Sequence, residues 1–272
     1  MDAQMTKETL SQLRISDYMD MIEEIGPEFA TRAAARNDSD EFVSDNFADL
    51  RERKFFSAMV PHELGGGGVA HSEMCTIIRK IAHYCPSTAL TLSMHQHLIA
   101  ANRYNYHNGN PGQALLEKVV ADELILVSTG ASDWLNSSGE MTKVEGGYLV
   151  NAKKGFASGS VAGHIFIMSS CYNDPKEGWQ VLHFPIPKSA EGVSIEENWQ
   201  AMGMRATGSH CVVLENVFVA DDAIALKRPA EKFHPVWNTI LVVALPLIVS
   251  AYVGIAEKAA ENARQTAKGK TE

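Results

Sequence analysis

The sequence predicts an α+β protein in three parts, and three observations support this. Apolar residues recur at helical spacing up to about residue 122. The repeat then changes to a period of two from Leu124 to about Ala220, and an uncharged run, Pro235–Ala256, follows. We therefore expect an N-terminal α-helical domain over residues 1–122, a central antiparallel β barrel or sandwich over 123–228, and the first helix of an incomplete C-terminal helical bundle over 229–272.

Composition bounds the kind of protein before any motif is considered. The 272 residues are 45% hydrophobic and 21% charged, which is ordinary for a folded chain of one or two domains. The net charge of -9 and the pI of about 5.6 exclude a basic surface for nucleic acid or for an anionic membrane.

The cysteines and the N-terminus indicate the compartment. Cys75, Cys85, Cys171 and Cys211 are scattered, and no CxxC pair or metal-ligand spacing occurs, so we expect reduced thiols and no metal site. The first residues lack the apolar core of a signal peptide. We therefore expect a cytoplasmic protein.

The N-terminal part is predicted to be a series of helices. A first helix is expected to end at Gly26-Pro27, with Pro27 opening the next one, and Asp38–Asp40 is expected to cap a third. The later predicted helices are Ser72–Tyr84, Thr88–Tyr104 with Ser87 as its cap, and one from Pro111 to about Ala121.

Two features interrupt this helical part. The loop Val60–Gly68 ends in four glycines, which predicts either positive φ angles with close backbone approach or a flexible linker. His95 and His97 lie two residues apart and so face different sides of a helix, which makes them poor joint metal ligands. A structural, hydrogen-bonded role is the simpler interpretation of each histidine.

The central part reads as short strands separated by Gly, Asn, Asp and Pro. About six short strands without intervening helices argue against a Rossmann sheet. No phosphate-binding glycine loop of the dinucleotide or P-loop type occurs, so nucleotide binding by either loop is not expected. The predicted strands are Leu124–Thr129, Glu140–Val144, Tyr148–Lys154, His164–Ser170, Trp179–Pro185 and Cys211–Val219.

The uncharged run near the C-terminus is long enough to raise the possibility of a membrane span. Polar residues such as Asn238 and Thr239 interrupt it, and no cluster of Lys or Arg brackets it, so we expect a bundle helix and no membrane span. The apolar faces of the predicted helix Trp237–Ala263 need partners, which predicts a homo-oligomer.

The stretch Val127–Ser160 organises the predicted β domain. It contains two strand ends rich in short hydroxyls and glycines, and the second end also carries Phe156. Such a surface suits a planar polar cofactor, because hydroxyls and free N–H groups meet its heteroatoms and an aromatic ring packs on its face. Two polar hairpin ends without a ligand remain the simpler alternative.

Five motifs in the same order resemble the acyl-CoA dehydrogenase superfamily. Helices followed by a β domain and a buried helix is also the order of that family. The motifs are Val60–Gly68, Leu92–His95, Val127–Asp133, Lys154–Gly159, and Met202–Ser209 followed by Leu214–Val219. The resemblance covers about Gly26 to Ala267 and implies a flavin, with FAD expected and FMN possible.

The resemblance also implies roles for residues of the two strand ends. Val127 lies in the first flavin strand, Ser128 best matches its flavin-binding hydroxyl, and Thr129 is the alternative register. Ser132 corresponds to the position that meets the pyrophosphate, although this segment is shortened and lacks the family's Glu-Pro. Phe156 replaces the tryptophan that packs on the flavin, and Ser158 replaces the threonine near flavin N5. These replacements keep an aromatic face and a short hydroxyl donor.

The catalytic base is the main departure from the family. Dehydrogenation of an acyl thioester needs a carboxylate that removes the α proton while the flavin takes the β hydride. Asn238 occupies one position where family members place that glutamate, and an amide is not a base. Glu231 lies nearby but matches no motif, so the sequence identifies no catalytic base.

Three functional interpretations follow. The first is an acyl-CoA dehydrogenase, truncated within its C-terminal helical domain, which takes an acyl-CoA or other small substrate and passes electrons to a partner protein. The second is a two-component flavin-dependent monooxygenase of the same fold, supplied by a flavin reductase and needing no α-proton base. His95 or His210 would then lie near the flavin. The third is an inactive fragment that binds flavin poorly.

Overall fold

The N-terminal helices pack against one another and precede the sheet in the chain. The computed structural model describes residues 10, 12–36, 39–130 and 133–269. Within these residues the N-terminal helices are α1 Ile15–Ala35, α2 Ser44–Glu52, α3 His71–Ala82, α4 Pro86–His107 and α5 Gln113–Asp122.

The expected break at Gly26-Pro27 is wrong, because α1 continues through both residues. Gly26 is required there by packing: a Cβ built on it lies 2.4 Å from the Tyr84 ring. Pro27 has no N–H to donate, yet the tertiary contact of this helix outweighs the lost bond. Local sequence signals therefore mark a site of close packing here, not a helix end.

The expected cap of α2 is also wrong. The helix begins at Ser44 with Val43 as its N-cap, and Asp38 lies outside the described residues. Asp40 instead accepts a hydrogen bond of 2.8 Å from Arg205 Nε, which ties this segment to the β domain. In α4, Cys85 rather than Ser87 is the N-cap, and Pro86 is the first helical residue.

The glycine loop is a tight turn and not a flexible linker. Gly65 and Gly68 have φ angles of 85° and 62°, in the left-handed region. A Cβ on Gly66 would lie 2.3 Å from the Val60 carbonyl oxygen. Both observations confirm the predicted positive φ angles and close backbone approach.

A mixed sheet forms the central part of the fold. In the described part of the chain its strand order is β6-β7-β3-β2-β4-β5-β8, and β1 also pairs with β4. The strands are β1 Leu126–Ser128, β2 Glu140–Val144, β3 Gly147–Ala157, β4 Ile165–Asp174, β5 Gly178–Pro187, β6 Val193–Glu196, β7 His210–Ala220 and β8 Leu226–Pro229.

Strands β1 and β2 follow the same edge of β4. Both run parallel to β4, β1 against Ile165–Ile167 and β2 against Cys171–Tyr172. The sheet is therefore mixed and not wholly antiparallel as expected. The described residues between β1 and β2, 129–130 and 133–139, form an excursion between two halves of one strand path, and we call them the excursion loop.

The last helix, α6 Val236–Lys268, packs on α3 and α4 through one narrow face. Its buried residues are Ala244, Leu247, Ala251 and Gly254. A Cβ on Gly254 would lie 2.2 Å from the Arg79 carbonyl oxygen, so the helices α6 and α3 are in close backbone contact here. Leu247 and Ala251 join the core of the N-terminal helices, whereas the sheet has a core of its own.

By length and composition α6 is long and apolar enough to cross a membrane, since its most apolar 18-residue window has a mean hydropathy of 2.3. A single such helix is weak evidence for a span. Only 22% of that window is buried, so α6 is less covered than the expected bundle helix. Its exposed apolar residues are Val242, Leu245, Val249, Tyr252 and Val253; we call them the α6 stripe.

We predict that the α6 stripe causes self-association of this chain. The double variant Leu245→Ser and Val249→Ser should shift the protein toward the monomer, because each buried aliphatic side chain contributes roughly 1.5–3 kcal/mol. Size-exclusion chromatography with light scattering at micromolar concentration measures this. The control is Asn262→Ser in the polar half of the same helix. A monomeric wild type would contradict the prediction.

A buried carboxyl, Glu123, joins the helical part to β1. It has a left-handed φ of 48° and is 2% exposed. It accepts a short hydrogen bond from Ser57 Oγ, and one of 3.2 Å from the Phe56 N–H. Burial raises its pKa from 4.5 to about 7, although these hydrogen bonds favour the charged form.

Glu123 should therefore make stability fall with rising pH. Its folded pKa lies above the unfolded value, so its contribution is complete below about 4.5 and is lost as the pH rises to about 7. Relative to wild type, Glu123→Gln should gain about 1–3 kcal/mol in unfolding free energy between pH 5 and pH 8. Urea unfolding at both pH values tests this, and an unchanged difference would contradict it.

Candidate active site

The two predicted strand ends lie side by side. A Cβ built on Gly163 would lie 2.4 Å from Val127 Cγ2 of β1 and 3.4 Å from the Gly159 carbonyl oxygen. The turn after β3 is thus packed against the end of β1. The structure brings together the two stretches that the sequence singled out separately.

The hydroxyls at the end of β1 differ in their availability. Thr129 Oγ1 donates a hydrogen bond of 3.0 Å to the Ile167 carbonyl, so its hydrogen is used within the sheet. Ser128 is half-buried at the last position of the strand. Ser132 lies outside the described residues. The hydroxyl that we expect to donate to a ligand is therefore that of Ser128.

Phe156 presents an open aromatic face. Its side chain is 65% exposed, and its φ of 57° is rare for a bulky residue. Trp199 packs edge-on against it, with ring centroids 5.7 Å apart and planes at 71°. Backbone strain of this kind is concentrated at functional sites, where surrounding contacts hold it in place.

Ser158 belongs to a row of three hydroxyls. Its Oγ lies 2.8 Å from Ser209 Oγ, which lies 2.7 Å from Thr207 Oγ1. The Gly159 N–H donates to the Thr207 carbonyl at 2.8 Å, so the turn after β3 is held against the segment before β7. Thr91 of α4 packs beneath this turn, because a Cβ on Gly159 would lie 2.8 Å from Thr91 Cγ2.

The two candidate histidines have different surroundings. His95 is buried, its Nε2 lies 2.8 Å from the Phe56 carbonyl, and its Nδ1 accepts the Leu126 N–H at 3.0 Å. Burial lowers its pKa to about 4. Both ring nitrogens are engaged with backbone groups, so His95 fixes the start of β1. It affects the candidate site through the placement of that strand.

His210 lies at the strand end itself. It begins β7 and pairs in register with Ala157, next to Phe156. Its Nδ1 accepts the backbone N–H of Trp199 at 3.0 Å, which leaves the hydrogen of the neutral ring on Nε2.

A buried ion pair closes the excursion loop. Lys154 Nζ contacts Asp133 Oδ2 at 2.7 Å, with side-chain exposures of 0% and 6%. Lys154 also donates to Ser137 Oγ at 2.7 Å and to the Ser138 carbonyl at 2.6 Å. Burial lowers the pKa of Lys154, and the Asp133 charge opposes this shift. A Cβ on Gly130 would lie 2.5 Å from Asp133 Oδ2, so the carboxylate sits directly on the backbone after β1.

The excursion loop also contacts the start of α6. Arg228 is 0% exposed and donates to the Asp133 and Leu135 carbonyls at 2.9 and 2.8 Å. Trp237 packs on Trp134 with ring centroids 4.9 Å apart and lies under the Arg228 guanidinium. Asn238, which the resemblance predicts at one of the family's base positions, is exposed on the first turn of α6.

Sequence reasoning quoted several of these residues inside motifs but missed their roles. Lys154 and Asp133 are 21 residues apart, and no local pattern shows that they pair. Ser209 and Thr207 stand in the Met202–Ser209 motif, but their hydroxyl contacts with Ser158 depend on the pairing of β3 with β7. Trp199 belongs to no recognised motif.

Comparison with known proteins identifies the class. Residues 18–123 match the acyl-CoA dehydrogenase N-terminal domain. The chain is a homologue of the acyl-CoA dehydrogenase superfamily, which agrees with the resemblance of its motifs.

Its curated relatives include both branches of the superfamily. The chain is 26% identical to a pigment production hydroxylase of Rhodococcus over 81% of its length. It is 28% identical to the putative acyl-CoA dehydrogenase YdbM of Bacillus subtilis over 92%, and 25% identical to the probable FMNH2-dependent monooxygenase SfnC of Pseudomonas putida over 89%. The chain spans 56%, 65% and 60% of these proteins, respectively.

Solved structures share the fold. The chain superposes on the structure of KijD3 in complex with FMN and a dTDP-sugar with a TM-score of 0.84. This match covers 97% of the chain and 66% of KijD3 at 21% identity. A nitrososynthase from Micromonospora carbonacea gives a TM-score of 0.85 at 22% identity, over 98% of this chain and 70% of that protein.

We predict that Lys154→Met destabilises the protein by about 3–5 kcal/mol, because it leaves the Asp133 carboxylate buried without a partner. The control is the neighbouring Lys153→Met, which removes a solvent-exposed pair with Glu196 and should cost far less than the buried substitution. Thermal and urea unfolding measure both variants. Equal effects of the two substitutions would refute a structural role for the buried pair.

Proposed function

We propose that this chain binds a flavin and belongs to a flavin-dependent monooxygenase of the acyl-CoA dehydrogenase fold. The observation that carries the proposal is the strand end around Phe156. An open aromatic ring, a row of hydroxyls and an imidazole meet there, next to a left-handed backbone φ at Gly159.

These residues fit a flavin in their chemistry. Phe156 would pack on the isoalloxazine, Ser128 would meet its pyrimidine edge, and Ser158 would face N5, as the resemblance implies. Thr91 Oγ1 is buried beneath the turn without a hydrogen-bond partner, so this end of the fold holds a polar atom that the protein leaves unsatisfied. FMN is favoured over the FAD expected from sequence, because relatives are named for FMNH2 or solved with FMN.

Oxygenation is favoured over dehydrogenation because relatives of this chain are named as a hydroxylase and as an FMNH2-dependent monooxygenase. Among the described residues His210 lies next to Phe156, and oxygenation by reduced flavin needs no carboxylate to remove an α proton. A reduced flavin would supply the two electrons by which one atom of O2 enters the substrate and the other leaves as water. The protein's part is to orient the ring, hold polar atoms against it and exclude water.

This proposal implies partners. A separate reductase would supply reduced flavin, and a small molecule would be the oxygen acceptor. We place the protein in the cytoplasm, where its four free cysteines would stay reduced. Acyl-CoA dehydrogenation remains the second candidate, because YdbM is 28% identical over 92% of the chain.

The first test is a flavin titration followed by a reaction with oxygen. Purified protein should bind FMN, and the complex should stay oxidised when acyl-CoAs are added without oxygen. With a flavin reductase and NADH, added aromatic or sulfur-containing substrates should be oxygenated. Bleaching of bound flavin by an acyl-CoA would favour the dehydrogenase instead, and protein that binds no flavin would refute both candidates for this chain.

Phe156→Ala should weaken flavin binding about tenfold, because an aromatic contact is worth about 0.5–1.5 kcal/mol beyond its buried area. The control is Phe218→Ala, which removes another exposed ring, 53% accessible, from strand β7. Fluorescence titration measures both. Equal loss in the two variants would contradict a specific role for Phe156.

A further inference from the structure

The row of hydroxyls behind the strand end has a direction. It consists of Ser158, Ser209 and Thr207, and we call it the hydroxyl relay. Thr207 Oγ1 ends the relay at the Met204 carbonyl oxygen, 2.9 Å away. A carbonyl only accepts, so in the favoured arrangement the Thr207 hydrogen points to Met204.

The remaining hydrogens follow from this end point. Each hydroxyl has one hydrogen. Thr207 has used its own, so in the 2.7 Å contact Ser209 is the donor. Ser209 has then used its hydrogen, so in the 2.8 Å contact Ser158 is the donor. Ser158 Oγ therefore offers lone pairs to a ligand and not the donor that sequence comparison led us to expect.

Burial maintains this direction. Thr207 is 0% and Ser209 5% exposed, so water does not replace a broken contact easily. The backbone bond from Gly159 N–H to Thr207 and the bond from Ser160 Oγ to the Gly208 carbonyl hold the two segments together. Reversing the relay gives up the Thr207–Met204 bond. In the reversed arrangement the Met204 carbonyl still accepts the Trp199 indole N–H at 3.2 Å and so is not left without a donor. Reversal is therefore unfavourable but not forbidden.

We propose that Ser209 and Thr207 are positioning residues that make Ser158 a hydrogen-bond acceptor and thereby select reduced flavin. This rests on the proposed function, in which Ser158 faces N5. Reduced flavin carries a hydrogen on N5 and donates it to Ser158. Oxidised flavin has only a lone pair there, which meets the lone pairs of Ser158. A chain built this way retains the flavin form that a reductase delivers and releases the form left after turnover.

The decisive variant is Ser209→Ala. It frees the Ser158 hydrogen to meet N5 of oxidised flavin, so the ratio of the oxidised to the reduced dissociation constant should fall about fivefold, the worth of one hydrogen bond. Thr207→Val should act in the same direction, because Ser209 can then donate back to Ser158. Anaerobic titrations with FMN and with dithionite-reduced FMN give the two constants.

The control is Ser194→Ala, which removes an exposed hydroxyl from strand β6, outside the relay. It should leave the ratio within twofold of wild type. A ratio unchanged in Ser209→Ala, or shifted equally in Ser194→Ala, would overturn the inference while flavin binding itself persists. Wild-type protein that binds neither form would instead refute the proposed function, and the relay's role with it. Melting temperatures of all three variants check that the fold is intact.

Discussion

An ammonium group completely removed from water is tolerated only if its surroundings replace that water, and Lys154 meets this condition through Asp133, Ser137 and the Ser138 carbonyl. These partners all lie in the excursion loop, whereas Lys154 itself lies on β3. The ion pair therefore connects the loop that follows β1 to strand β3. Ser128 is the last residue of β1, and Phe156 lies two residues after Lys154 on β3.

The same loop connects the sheet to α6. Arg228 from β8 holds the loop's carbonyl oxygens, and its guanidinium lies against Trp237. Trp134, from the loop itself, packs on the same indole. Lys154 contacts the loop, the loop contacts Arg228, and Arg228 contacts Trp237. The orientation of α6 and the geometry of the strand ends therefore depend on one continuous set of contacts.

The sequence was informative where structure depends on neighbouring residues. Period-two segments became strands β2, β3, β4, β5 and β7 within a few residues of the expected bounds, and Gly65 and Gly68 took the left-handed angles that glycines predict. Strands β6 and β8 have only four residues each and were missed, since so short a run carries little periodicity. The Pro27 break was wrong because packing on Tyr84 outweighs local propensity.

The candidate site residues show the same difference between features set by neighbouring residues and features set by tertiary contacts. Phe156, Ser158 and His210 were recognisable from motifs, and the register of β3 with β7 brings them together. The direction of the hydroxyl relay was not readable, because it is fixed by one carbonyl, that of Met204, at the far end of a tertiary contact. A residue type gives the capacity to donate or accept, and only the neighbours decide which of the two is used.

The shared path of β1 and β2 along β4 has a consequence for how this chain tolerates change. Both halves are registered independently on β4, so residues added to or removed from the excursion between them leave the sheet pairing intact. A change of length in this segment is accommodated without a slip that would turn buried side chains to the opposite face. Length variation at this point is therefore structurally inexpensive, and ligand preference can diverge while the scaffold stays constant.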